Sequence, residues 1–392
     1  MSTARSADED ADAASLAAAL RDAPFVRIVA RADGDSLAAG GLLARALRSA
    51  DVPFQVRTTL DPDGSRFAAD VEGDARDRLL VVGSTGGDHA LPGTTCPASV
   101  RAFEIAAELG ADPDPVLALA GVVAAEETPG AGDSAPILAA AEERGLVDRR
   151  PGIAVPTADL GDGLAHTTFA HVSFSGDPEA ARARLAELDL PADREEEDDR
   201  RLASLVALAQ TTPEWATPRA AEAVERALRP YATPDGPFAT VGGYADVLDA
   251  VARETPGTGV ALALGHDVDE TRTAALSAWR DHAATAHREL HAATTGRYRG
   301  LFVARVDATD PGRLATAARL LRQFRSPEPV ALVVAPGVAA AAADDPVGLD
   351  EVLATAVGEV GGRSDGGPRR GTARFDAEVQ QFITAFREAL ES

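Results

Sequence analysis

The chain has 392 residues, enough for two domains with cores of their own. It carries 62 acidic residues against 38 basic ones, all of the latter arginine, for a formal net charge of −24. Taken alone, that balance argues against a protein that grips phosphate through bulk positive charge.

No apolar run reaches the ~18 residues of a membrane-spanning helix, so no membrane association is expected. The start MSTARSADEDADAASL is acidic and lacks the apolar core of a signal peptide. Cys96 is alone, which excludes an intramolecular disulfide and fits a reducing, cytoplasmic setting.

Residues 14–22 form the first expected helix. The apolar run 26-VRIVAR-31 reads as a buried strand and 37–48 as a helix of small and apolar residues. Pro53–Thr59 and Leu79–Gly83 are the second and third strands, and helices follow over Ala98–Leu109 and Pro115–Ala125. This alternation predicts a parallel sheet with helices on both faces. After 151-PGIAVP-156 the pattern turns helical, with a period near 3.6 over Glu179–Leu188 and Arg200–Gln210. The run 193-DREEEDDRR-201 is read as acids at the first turn of a helix Asp198–Gln210, favoured there by the helix dipole, rather than as a metal cluster.

A Pro/Gly loop over 230–243 leads to a helix Tyr244–Arg253, a strand Gly259–Leu264 and a long helix Glu270–Ala293. The strands 300–308 and 329–335, a helix Pro311–Phe324, a Gly-rich turn 361–376 and a closing helix Ala377–Leu390 then form a second, smaller α/β domain. The expected division is residues 1–268, with a helical insertion, a connector helix 269–294, and residues 295–392.

Chemistry is concentrated in few places. Asp33 and Asp35 follow the first strand, where parallel sheets place their ligands. At i and i+2 they share one face of extended chain and suit a hard cation. The same residues also suit an Asx turn, with Asp35 or Ser36 capping a helix that opens at Leu37. His287 and His291 stand at i, i+4 on the connector, which also carries His282. Because Glu289 is midway between the pair, and not in the general-base position of a zinc helix, a solvated helix face is expected. Arg363, Arg369, Arg370 and Arg374 gather around Gly366, Gly367 and Gly371; guanidinium forks suit phosphate, and glycines admit close backbone approach. Trp215, Trp279 and the tyrosines are read as packing residues.

The stretch 31-RADGDS-36 between strand and helix resembles the first motif of the DHH phosphoesterase superfamily, which includes the RecJ nucleases. That motif reads His-x-Asp-x-Asp-Gly, and its His and Asp residues bind Mn²⁺ or Mg²⁺. Asp33 and Asp35 match the two Asp; Arg31 stands at the His and Ser36 at the Gly. The segment 244–266 resembles the helix and strand that follow in RecJ-like proteins, with Asp249 at an Asn and Arg253 at an Arg. Residues 366–373 resemble the Gly-rich motif of the DHH-associated domain. The uniformly acidic, alanine-rich, lysine-free composition resembles that of halophilic archaea, whose acidic surfaces serve solubility in concentrated salt.

The resemblance also marks departures. The third strand ends Val82-Gly83-Ser84, with no carboxylate at the second motif. The Asp-His-His motif is reduced to Asp88-His89-Ala90 in a Gly-rich loop, its strand shortened or deleted. Ala124-Ala125, followed by Glu126, stand at the fourth motif. A bridged cation pair needs several oxygen or nitrogen ligands on each ion. If the chain were active, Asp33, Asp35, Asp88, His89 and Glu126 would have to form the shell of Mn²⁺ or Mg²⁺. A guanidinium at Arg31 opposes a cation, and an ion pair of Arg31 with Asp33 or Asp35 is expected instead. The resemblance therefore implies a RecJ-like protein with a DHH domain, a DHH-associated domain and a decayed metal site. It implies single-stranded nucleic acid held by Arg363, Gly366, Gly367, Arg369, Arg370 and Gly371, and a replication or repair role beside the GINS complex and the MCM ring.

Overall fold

The structure, a computed structural model, describes residues 2–60, 76–85, 88–191, 195–266 and 268–392. The chain divides into two compact units. One comprises residues 1–149 and 231–279, the other residues 150–230 and 280–392. In this division the helical segment 150–230 groups with the C-terminal residues, and the long helix Val268–Ala292 contributes to both units. No helix among the described residues is long and apolar enough to cross a membrane.

The first unit is built on four parallel strands, β1 (Val26–Arg31), β2 (Phe54–Thr59), β3 (Arg78–Val82) and β4 (His89–Leu91), in the order β2-β1-β3-β4. β1 and β3 are covered on both faces, which is why their sequences are nearly unbroken apolar runs. The strand expected to be shortened is present as three residues, β4. Helix Gly34–Ser49 packs against helices Ala98–Glu108, Pro115–Ala124 and Val241–Glu254. A short ribbon of β5 (Asp148–Arg149) and β6 (Tyr231–Ala232) completes this unit.

Two expectations are corrected here. Gly259–Leu264 is not a strand but part of a helix, Pro256–Leu264, opened by a proline in its first turn and closed by Gly265 at φ 73°. An apolar run without clear periodicity fits either element, and the flanking punctuation decided this one. Helix Gly34–Ser49 begins three residues before Leu37, and its N-cap is Asp33 rather than Asp35 or Ser36.

The second unit carries a six-stranded mixed sheet. Its strands are β7 (Thr294–Tyr298), β8 (Leu301–Arg305), β9 (Val330–Ala335), β10 (Val338–Ala343), β11 (Gly362–Gly366) and β12 (Arg370–Phe375), in the order β11-β12-β10-β9-β8-β7. Only β8 and β9 run parallel. One face packs on helices Leu349–Val360 and Val379–Glu391 through Leu332, Leu353 and Phe382; the other packs on helix Pro311–Leu320 through Val333, Leu314 and Phe324. The expected Gly-rich turn is the antiparallel hairpin β11–β12. β10, VAAAAA, lacks the branched residues of a typical strand, yet all six residues are buried mid-sheet.

The acidic run behaves as read. Glu196, Glu197, Asp198 and Asp199 fill the first turn of helix Glu196–Thr211, capped by Glu195; Asp193 and Arg194 lie outside the described residues. The solvated helix face expected for His282 and His287 is corrected: both are buried, and only His291 reaches the rim. His287 Nε2 lies 3.1 Å from the carbonyl of Thr167, so that nitrogen carries the proton. His287 Nδ1 then accepts from His171 Nδ1 at 2.9 Å, and the His171 ring stacks on His291. Burial, with His287 and His291 beside it, holds His171 well below the usual imidazole range, and burial brings His287 to about 3. All this polar chemistry serves to fix the segment 167–175 on the helix that carries His287 and His291.

Candidate functional site

The sheet order reverses between β1 and β3, and the turn after β1 lies outside the carboxyl end of the sheet, the usual ligand position of such folds. Asp33 closes that turn. Its Oδ1 accepts the amide of Ser36 at 2.8 Å as the cap of the helix. Asp35, in the first turn of that helix, is buried, and its two oxygens accept the amides of Ala98 (2.7 Å) and Ser99 (2.9 Å). Those amides open helix Ala98–Glu108, whose N-cap is Pro97 and offers no side-chain cap. Asp35 is thus the capping anion of a neighbouring helix. Burial and then the Asp33 carboxylate push its acid up to about 6.

Asp249 holds the turn from the other side. Its Oδ1 accepts the amide of Gly34 at 3.0 Å, and its carboxylate pairs with Arg253. Arg253 also donates to the Asp249 carbonyl at 2.8 Å. A side chain at position 34 would collide with the Cβ of Ala124, 2.7 Å away, so the turn needs glycine to lie this close to the end of helix Pro115–Ala124. Arg31 Nε donates to the carbonyl of Gly83 at 2.7 Å, tying the ends of β1 and β3 together.

Asp88 and His89 of the expected shell are not brought to this turn. Asp88 Oδ2 accepts the amide of Leu79, which pairs with Arg27 of β1. From Arg27 to Arg31 is about 13 Å of strand, so Asp88 sits toward the amino end of the sheet. His89 pairs with Leu80, one residue further along. Both line a cleft of about 490 Å³ outside β4 with Asp12, Thr95, Cys96 and Arg101. Burial pushes the Cys96 thiol up to about 12, which disfavours its thiolate. Glu126 follows helix Pro115–Ala124 in a left-handed conformation, φ 68°. Among the described residues no group of three or more His, Cys, Asp or Glu is arranged to hold a metal. The donor set does not fit a Mn²⁺ or Mg²⁺ pair: four of the six oxygens of Asp33, Asp35 and Asp249 accept backbone amides.

The second cluster is the β11–β12 hairpin. Arg363 stands directly opposite Arg374, and Arg363, Arg369, Arg370 and Arg374 are all exposed. Arg363, Arg369 and Arg374 make no ion pair among the described residues. The other face of the hairpin is core, with Ala373 and Phe375 buried. The glycines serve this packing: a Cβ at Gly371 would meet the Leu353 side chain at 2.5 Å, and one at Gly366 the Arg370 carbonyl at 2.5 Å. Gly367 faces open space. The arginines were legible in the sequence; the roles of Asp249 and of the Ala98 and Ser99 amides were not, although Asp249 stands at a position of the family resemblance.

Four likenesses bear on this arrangement. Residues 293–388 match the family "Uncharacterized protein rrnAC1427, C-terminal domain". The Haloarcula marismortui "Uncharacterized protein rrnAC1427" is 51% identical over 381 residues, covering 96% of each chain. Among solved structures, CDC45 from Entamoeba histolytica aligns with a TM-score of 0.66 at 8% identity over 98% of this chain and 99% of its own. RecJ from Thermus thermophilus, solved with Mn²⁺, aligns with a TM-score of 0.50 at 16% identity over 98% of this chain and 54% of its own.

Proposed function

This chain belongs to the family of the Haloarcula marismortui protein rrnAC1427 and has a RecJ-like DHH fold with a C-terminal domain; from that premise, we propose that it is a catalytically silent RecJ-like protein that binds single-stranded nucleic acid and acts as a scaffold in replication or repair. The observation that carries the reading is Asp35. A carboxylate that caps helix Ala98–Glu108 with both oxygens is a structural anion, not a free metal ligand. Binding falls to the exposed hairpin, where Arg363, Arg369 and Arg374 present forks that no acid among the described residues neutralises. Phosphates would sit on these guanidinia, with Arg370 beside them and Gly367 leaving the backbone open to a sugar-phosphate chain. In this reading the protein works in the cytoplasm of a halophilic archaeon, and its partners are the GINS complex and the MCM ring.

The opposing reading is an active Mn²⁺- or Mg²⁺-dependent exonuclease. It requires Asp33, Asp35, Asp88, His89 and Glu126 to surround one ion. Two assays in molar KCl separate the readings. The tagged full chain should retain GINS and MCM from a haloarchaeal extract and should bind labelled oligo(dT). It should leave 5′-labelled single strands intact with Mn²⁺. Cleavage that disappears in both Asp33→Asn and Asp35→Asn would overturn the silent reading; absence of GINS and MCM from the retained fraction would overturn the scaffold.

A further inference from the structure

The sheet of the second unit ends at β7, and among the described residues no strand pairs with its outer edge. Thr294, Thr295 and Arg297 are exposed there. Exposed edges are ordinarily blunted by a charged side chain, a proline, a bulge or a covering element; the one charge on β7, Arg297, is paired with Glu328. β7 has no proline and runs in unbroken register with β8, from Thr294 opposite Arg305 to Tyr298 opposite Leu301.

Two arginines stand behind this edge on one face of the sheet, Arg305 on β8 and Arg387 on helix Val379–Glu391. Arg305 alternates with Leu301 and Val303, whose side chains enter the core under helix Val379–Glu391. At the other end the Arg387 guanidinium lies 4.4 Å over the ring of Tyr298, which packs on that same core. Arg305 donates to the neutral amide of Gln380. Neither arginine makes an ion pair among the described residues, although the chain carries 62 acidic side chains. Four residues of strand separate the two ends, about 13 Å. That is the spacing of side chains at i and i+4 on one face of an extended chain.

We propose that the outer edge of β7 docks an extended acidic segment of a partner protein as a seventh strand, with carboxylates at i and i+4 on Arg305 and Arg387. The unpaired amides and carbonyls of β7 supply affinity, and the two forks supply selectivity. In molar salt the Debye length is about 3 Å, so only charges in contact discriminate. Two fixed contacts beside backbone hydrogen bonds suit that solvent better than a diffuse field. Nucleic acid has no peptide backbone to extend the ladder, which favours a protein segment as the occupant.

The test uses the full chain in molar KCl and a short fluorescein-labelled peptide of alternating Thr and Val with two Glu four residues apart. Saturable anisotropy binding is expected, together with slowed amide exchange over residues 294–298. Replacing both Glu by Gln in the peptide should weaken binding about tenfold, and Arg305→Gln and Arg387→Gln should do the same from the protein side. Arg363→Gln should leave it unchanged. The peptide change leaves the protein intact, so a misfolded variant cannot mask the answer. No saturation at millimolar peptide, protection confined to other strands, or displacement of the peptide from 294–298 by oligo(dT) would overturn the proposal.

Discussion

The two units treat their charges in opposite ways. At the carboxyl end of β1 the charged groups face inward onto backbone: Asp33 on Ser36, Asp35 on Ala98 and Ser99, Asp249 on Gly34, Arg31 on Gly83. On the β11–β12 hairpin the glycines and apolar residues make the fold, and the arginines project from it. A ligand site needs charge that folding has not already satisfied. By that criterion the acidic turn holds the fold, while Arg363, Arg369 and Arg374 carry charge that no ion pair among the described residues satisfies.

The largest expected effect lies at Asp35. Asp35→Ala leaves two amides at the start of helix Ala98–Glu108 without their acceptors, and should cost about 3 kcal/mol in denaturant unfolding at molar salt. Asp33→Ala removes an ordinary helix cap and should cost about 1 kcal/mol. Equal and negligible losses would mean that neither carboxylate is structural.

The second contrast is in pH. The Asp35 acid is raised from 3.8 to about 6, so the folded state holds its proton more tightly than the unfolded state does. Its contribution is full below about pH 4 and is lost as pH rises toward 6. His171 and His287 are lowered, so the unfolded state binds protons that the folded state refuses. The contribution of His287 is full above pH 6.5 and is lost as pH falls toward 3; that of His171 is lost in the same direction. Asp35 and His287 each supply a slope of about 1.4 kcal/mol per pH unit inside the window. Between pH 4 and 6, amide exchange corrected for intrinsic rate should show helix 98–108 opening more readily as pH rises and segment 167–175 opening less readily. Slopes of the same sign in both places would break the comparison.

Smaller effects sharpen it. Gly34→Ala places a Cβ against Ala124 and the amide of Asp249, and should cost about 2 kcal/mol by thermal unfolding. On the hairpin, Arg363→Gln, Arg369→Gln and Arg374→Gln should leave the melting temperature unchanged. Each should weaken oligo(dT) binding several-fold and flatten its salt dependence, as loss of a single phosphate contact does. A mutant that loses stability without losing affinity would exchange the roles assigned to the two regions.

How much of this was legible in the sequence follows from how local each signal is. β1 and β3 could be read because a strand buried on both faces writes itself as an apolar run. The Asp pair could be located because its position after a strand is a local pattern. Its role could not, because the amides that Asp35 caps are 63 and 64 residues away, and Asp249 reaches Gly34 across 215. The buried histidines looked solvated for the same reason: His287 pairs with His171 across 116 residues. β10 was silent because alanine carries no strand preference, and only its place in mid-sheet makes it one. The hairpin arginines were visible because a basic cluster among so many acids is itself a local signal.

The central claim is that the carboxylates after β1 hold the fold and not a cation. Calorimetric titration of Mn²⁺ into the full chain in molar KCl, with Asp33→Asn and Arg31→His beside it, tests this most directly. The account expects no saturable heat from the natural chain and none that Asp33→Asn removes, while Arg31→His, by restoring an imidazole at the motif's first position, adds at most weak binding. Stoichiometric Mn²⁺ binding by the natural chain that disappears in Asp33→Asn would contradict it.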